Sequence, residues 1–167
     1  MLLGGCRQRS PDGVALVGAT LIDGSGGPVL RDAAIVVRKG RIESVGSREG
    51  FELPRKTREA DASGRWIIPG LIDAHAHVVS AARWAPGRYL AWGVTTVREM
   101  HGGLRSALAL RKRYNTSSPE GPRIYAAGPM MDGRPTTDPY AMGVNTGRDA
   151  RKSVDQLVSS GMDLIKV

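Results

Sequence analysis

The sequence predicts an α/β protein in which a small all-β unit precedes a parallel sheet with helices outside it. Three observations lead there. Residues 14 to 65 are short apolar runs cut by glycine and charge, the texture of strands and tight turns. From Ile67 onward strand-like runs alternate with amphipathic segments in the order β-α-β-α-β-α-β. No Gly-x-Gly-x-x-Gly or phosphate loop follows the first of those strands, which sets aside an open doubly wound nucleotide-binding sheet.

Taken in order, Val14 to Ile22 reads as a strand and Asp23-Gly24-Ser25-Gly26-Gly27-Pro28 as a turn. Ala33 to Val37 and Ile42 to Gly46 read as a hairpin with Lys39-Gly40 at its tip. Ile67-Ile68 opens a short apolar run that reads as a strand, with His75 and His77 directly after it. Residues 81 to 92 predict a short helix interrupted at Pro86-Gly87, and Gly93 to Met100 a second strand. Leu104 to Tyr114 predicts a helix with basic residues at its C-terminal end, where they suit the helix dipole. Gly121 to Gly128 reads as a third strand. Asp149 to Ser160 reads as a helix with a Val154, Leu157, Val158 stripe and Gly161 as its stop, and Asp163 to Val167 as a fourth strand.

Composition bounds the function. The chain has 167 residues, enough for one ordinary domain, and is 41% hydrophobic. Its net charge of +8 comes from 24 Lys and Arg against 16 Asp and Glu, scattered except at Arg38 to Arg41, Arg55 to Arg58 and Arg111 to Arg113. With aromatics at 5% and no reading element, nucleic acid is not expected as a partner; a small molecule is. A single cysteine, Cys6, excludes an internal disulfide and a multi-cysteine zinc site. Leu3-Gly4-Gly5-Cys6 resembles a lipobox, yet only five residues precede Cys6, where an export signal carries an apolar region of about 7 to 15. Two readings follow: a chance match in a cytoplasmic protein, or an exported bacterial lipoprotein anchored at Cys6. No apolar run reaches the roughly 18 residues of a transmembrane helix.

The chemistry concentrates in Ile67 to His77. His75 and His77 are two apart, so on a strand both project from one side. Two converging imidazoles suit a divalent metal such as zinc. Asp73 lies at the same period and is read either as an acceptor orienting one imidazole or as a local backbone partner.

Pro69-Gly70-Leu71-Ile72-Asp73-Ala74-His75-Ala76-His77 resembles the first-strand signature of the amidohydrolase superfamily, metal-dependent hydrolases built on a TIM barrel. Gly161 to Val167 resembles the fourth-strand motif of its imidazolonepropionase-like and prolidase-like members, and similar context runs through 93–100 and 121–129. The resemblance implies a tail over 1–13, part of a small β-sandwich over 14–65, and the first four strands of a (β/α)8 barrel over 66–167. The chain is then expected to be an N-terminal fragment, since such a barrel needs eight strands.

The same resemblance implies His75, His77 and Lys166 as metal ligands at the C-terminal ends of strands. Lys166 would be carboxylated by carbon dioxide and bridge two divalent metals, zinc being expected. Water activated by the metals would attack a polarised carbonyl, hydrolysing a C–N bond in an amide, a cyclic amide or a dipeptide ending in proline. The two further histidines and the aspartate base of the family would lie beyond Val167, so no catalytic residue is expected within the chain. His101 falls in the loop after the second strand, where related sequences carry Asp near Glu99, and is read as a substrate contact or a polar loop residue. Residues 129–148 would form a loop over the site. A catalytically inactive remnant or a metal-binding module of the same fold is the alternative.

Overall fold

The structure is a computed structural model that describes residues 12–81, 86–116 and 120–167. Cys6 and most of the expected tail lie outside the described residues, as do 82–85 of the expected first helix. The chain divides into two compact units, Met1–Pro69 and Gly70–Val167. No described helix is long and apolar enough to cross a membrane.

The first unit is one sheet. Its strands are β1 (Gly13–Leu21), β2 (Leu30–Arg38), β3 (Arg41–Ser47), β4 (Thr57–Asp61) and β5 (Trp66–Ile67). The order is β3-β2-β1-β4, with β5 also paired to β1. The β2–β3 hairpin turns at Lys39 and Gly40, with φ of 50° and 73°, the left-handed pair that a two-residue hairpin loop demands. Ala15, Ala19, Ala33, Ala34 and Val36 are fully buried on this sheet. Leu16, Leu30, Ile35, Val37, Val45 and Ile67 line an apolar cavity of about 440 Å³. Trp66 and Ile67 pair with Thr20 and Leu21 of β1. The apolar run ahead of the histidines therefore belongs to this first sheet rather than to the strand that carries them. Pro69, which has no N–H to donate, stands between the two strands.

The second unit is a parallel three-stranded sheet, β6 (Leu71–Ala76), β7 (Val94–Glu99) and β8 (Arg123–Ala126), in that order. Its helices are α1 (Pro86–Ala91), α2 (Leu104–Tyr114) and α3 (Gly147–Ser159). Ala76, Val97, Ile124 and Ala126 from the strands pack with Ala107 and Tyr114 of α2 into one core. Pro86 and Gly87 do not interrupt α1; they form its first turn, where proline's missing N–H is unneeded.

Helix α3 starts and stops by local chemistry. The Thr146 hydroxyl accepts from Asp149 N–H at 3.1 Å while the Asp149 carboxylate accepts from Thr146 N–H at 3.1 Å, a complete capping box. At the other end Gly161 has φ 81°, Gly161 N–H donates to Val158 O and Met162 N–H to Leu157 O, a Schellman stop. The buried face is Ser153 and Leu157, whereas Val158 is exposed, so the expected Val154–Leu157–Val158 stripe is rotated by part of a turn.

The fourth strand expected over Asp163 to Val167 is not a ladder strand. This segment meets β8 through one backbone bond, Asp163 N–H to Ala126 O at 3.0 Å, and then Lys166 O accepts from Met131 N–H at 2.9 Å. Met131 belongs to β9 (Met131–Gly133), which pairs parallel with β10 (Met142–Val144) in the residues expected to form a loop. Hydrogen bonds that would have extended the β8 ladder thus go to β9 instead.

Candidate metal centre

His75 sits near the C-terminal end of β6 and His77 directly after it. Between Asp73 and Ala76 the β6–β7 register slips: Asp73 pairs Val97 but Ala76 pairs Glu99, which places one extra residue on β6. Ala74 O, left out of the ladder, accepts from Arg98 Nε at 2.6 Å. Beyond the bulge, alternation is regular: Ala76 and Val78 are buried, His75 and His77 exposed on the other side.

The result is convergence. The two Nε2 atoms are 3.3 Å apart, with ring centroids at 5.3 Å. Two Zn–N bonds of about 2.0–2.1 Å at a tetrahedral angle set their nitrogens roughly 3.3–3.4 Å apart. The pair therefore fits a metal of that size, and one ring can also donate to the other in its absence. Among the described residues no group of three or more His, Cys, Asp and Glu side chains is arranged to hold a metal. Lys166 is close enough for its charge to act on His77. Burial, then the charges of Lys166, His101 and His75, hold the His77 pKa below its ordinary value, with Asp138 opposing. A depressed pKa keeps the imidazole neutral, the form that binds metal.

Asp73 is on the far side of the bulge, so its period-two relation to the histidines is broken. Its Oδ1 accepts from the His75 backbone N–H at 3.2 Å, which restrains the peptide carrying that imidazole. His101 stacks on His77 with centroids 5.1 Å apart and planes 20° apart. Its Nε2 meets Asp138 Oδ2 at 2.5 Å, and its Nδ1 is buried without a hydrogen-bond partner.

Two residues here escape a sequence reading. Glu99 is fully buried, with Oε2 accepting from Val79 N–H at 2.9 Å and Oε1 from His101 N–H at 2.8 Å. It ties the chain after His77 to the chain before His101. Burial raises its pKa, against the pull of the backbone donors Val79, His101 and Val78. Asp138 comes from the 129–148 segment; nothing in a polar Gly- and Pro-rich stretch marks which carboxylate folds inward. The Tyr140 N–H, then His101, hold its pKa below the ordinary value.

With a paired histidine at the carboxyl edge of a parallel sheet and a lysine from the segment beyond its third strand brought near, the chain resembles proteins of the amidohydrolase superfamily in sequence and in structure. In sequence it is 49% identical over 59 residues to the imidazolonepropionase of Aromatoleum aromaticum, a match covering 34% of this chain and 14% of that one. It is 38% identical over 104 residues to the imidazolonepropionase of Legionella pneumophila, covering 58% and 25%. In structure it superposes on a protein of Bifidobacterium longum assigned as a prolidase with a TM-score of 0.76 and 30% identity, covering 94% of this chain and 40% of that one. The chain thus spans well under half the length of the relatives it matches. No family model matches it.

Proposed function

We propose that this chain is part of a metal-dependent amidohydrolase that cleaves a C–N bond other than an ordinary protein peptide bond. An amide, a cyclic amide or a dipeptide ending in proline would be the substrate. The 3.3 Å approach of the two Nε2 atoms at the carboxyl edge of the sheet is the observation that carries it. The relatives described above support the same class: two are imidazolonepropionases, and the structural neighbour at 30% identity is assigned as a prolidase.

In this reading the second unit contributes the first strands of a (β/α)8 barrel, and residues 14–65 part of a small β-sandwich. The apolar cavity on the first sheet favours the sandwich, because a second layer of strands would cover it. His75 and His77 would hold a metal through neutral imidazole nitrogen. Lys166, as its carbamate, would add oxygen donors to that site; zinc would suit the nitrogen and oxygen donors. A bound divalent metal acts as a Lewis acid on a carbonyl and eases loss of a proton from water. The residues of this chain would orient those ligands and shape the approach.

The test is hydrolysis by the full-length protein, metal-loaded and metal-stripped, across cyclic amides and Xaa-Pro dipeptides, together with metal quantification. Metal-dependent turnover of one of these classes is expected. A protein that binds no metal, or that turns over none of them when loaded, overturns the proposal.

A further inference from the structure

The chain has three histidines, and all three rings lie in one row. His75 and His77 are 5.3 Å apart between centroids, and His77 and His101 5.1 Å and nearly parallel. His101 is the outer ring, and it is held on several sides. Its backbone N–H is fixed by the buried Glu99 carboxylate, its Nε2 by Asp138 at 2.5 Å, and its ring by the nearly perpendicular ring of Tyr140 at 5.5 Å between centroids. Its side chain is only 17% exposed.

Asp138 and Tyr140 are near neighbours in the segment that connects β9 to β10. Asp138 Oδ1 accepts from Tyr140 N–H at 2.8 Å, which orients the carboxylate toward His101. Strand β9, which leads into that segment, touches Lys166, whose carbonyl accepts from Met131 N–H. One stretch of chain thus reaches both the outer histidine and the backbone of the lysine.

We propose that His101 is a positioning residue for the metal centre: locked by Asp138 and Tyr140, its ring braces the His77 imidazole at the angle that brings the two ligand nitrogens together. An unbraced imidazole on an exposed strand end turns about its own side-chain bonds and must be ordered when metal binds. Bracing it beforehand removes that entropy loss from the binding step. This inference rests on reading His75 and His77 as ligands. It makes the 129–148 segment part of the metal site's support, so that metal affinity depends on residues that never touch the metal.

Cobalt(II) titration of the full-length protein, followed by its visible absorption, tests it. His101→Ala is expected to weaken cobalt binding by 10-fold or more, on the scale of lost supporting contacts at metal sites, and to alter the absorption band. Asp138→Ala should shift both readouts in the same direction. Asp138→Asn keeps an acceptor oxygen for His101 and should bind like the parent protein. Folded Ala variants that bind cobalt with the parent's affinity and spectrum overturn the inference while leaving the ligand reading intact. A parent protein that binds no cobalt overturns both. If His101→Ala does not fold, the Asp138 pair decides: Ala weakened and Asn unchanged supports the inference, and equal binding by both overturns it.

Discussion

The Nε2 atoms of His75 and His77 stand 3.3 Å apart, the separation that two bonds to one tetrahedral zinc impose. A β-bulge just before them and buried Ala76 and Val78 between and after them produce that geometry. If both rings bind one metal, removing either would leave a single monodentate nitrogen. His75→Ala and His77→Ala are each expected to weaken zinc binding by more than about 100-fold, beyond the 10- to 100-fold typical of supporting residues. Zinc competition with a chromophoric chelator measures it; a loss below tenfold in both variants would remove the pair from the metal site.

Gly70, in the motif ahead of β6, has a packing reason to be glycine. A Cβ there would overlap Thr95 Oγ1 and approach Thr95 Cβ to 2.8 Å. Thr95 lies on β7, so the clash falls on the first contact between the two strands. Gly70→Ala should destabilise the second unit by about 1–3 kcal/mol, the usual cost of overpacking. Thr95→Gly in the same chain should recover part of that loss in urea unfolding; no recovery would mean that the cost comes from elsewhere.

Glu99 supplies a pH-dependent prediction. Its carboxyl titrates higher in the folded chain than its ordinary 4.5, because burial opposes the charge. The folded state therefore holds the proton more tightly than the unfolded state. The resulting stability is complete below the unfolded value and is lost as pH rises through the folded one. Glu99→Gln removes this slope and puts an amide N–H₂ against one of the donors Val79 N–H or His101 N–H. The variant should be less stable by about 1–3 kcal/mol at acid pH, where an unsatisfied buried donor is the main difference. The gap should narrow as pH rises; thermal unfolding from acid to neutral pH would show it, and a gap that widens contradicts the assignment.

Much of this was legible in the residues, and the exceptions have physical causes. The helix over Leu104–Tyr114, the Lys39-Gly40 turn and the Gly161 stop follow from local rules, because periodicity, φ preference and capping act over a few residues. Trp66 and Ile67 were not assignable that way: an apolar pair suits either sheet, and its pairing with Thr20 and Leu21 is set 46 residues away in sequence. The common face of Asp73 and the histidines fails for a related reason. Period-two alternation holds only without a bulge, and the slip between Asp73 and Ala76 depends on β7. Asp138 was hidden most deeply, since its role depends on a segment folding back to a histidine 37 residues earlier.

Lys166 is positioned from a distance by Asp163. One Asp163 oxygen, Oδ2, accepts from Ala126 N–H at 2.9 Å and from Arg111 Nη1 at 2.8 Å, while Asp163 N–H donates to Ala126 O at 3.0 Å. Arg111 also donates to Gly161 O at 2.5 Å. Helix α2 and the end of β8 thus grip the turn from which the lysine segment departs. The Arg111–Asp163 pair is about a quarter exposed on each side, so solvent screens its charge interaction, whose removal alone should cost under about 1 kcal/mol. Losing the whole carboxylate also strands the Ala126 N–H, so Asp163→Ala should cost more, about 1–3 kcal/mol. Asp163→Asn keeps an acceptor for Ala126 and should fall between that variant and the parent. If Lys166 is a ligand, Asp163→Ala should also lower the metal bound per chain in folded protein, while Arg111→Lys, which retains a cation, changes it little. Metal analysis of the folded fractions would read this, and full occupancy in Asp163→Ala would show that the grip on the turn serves stability alone.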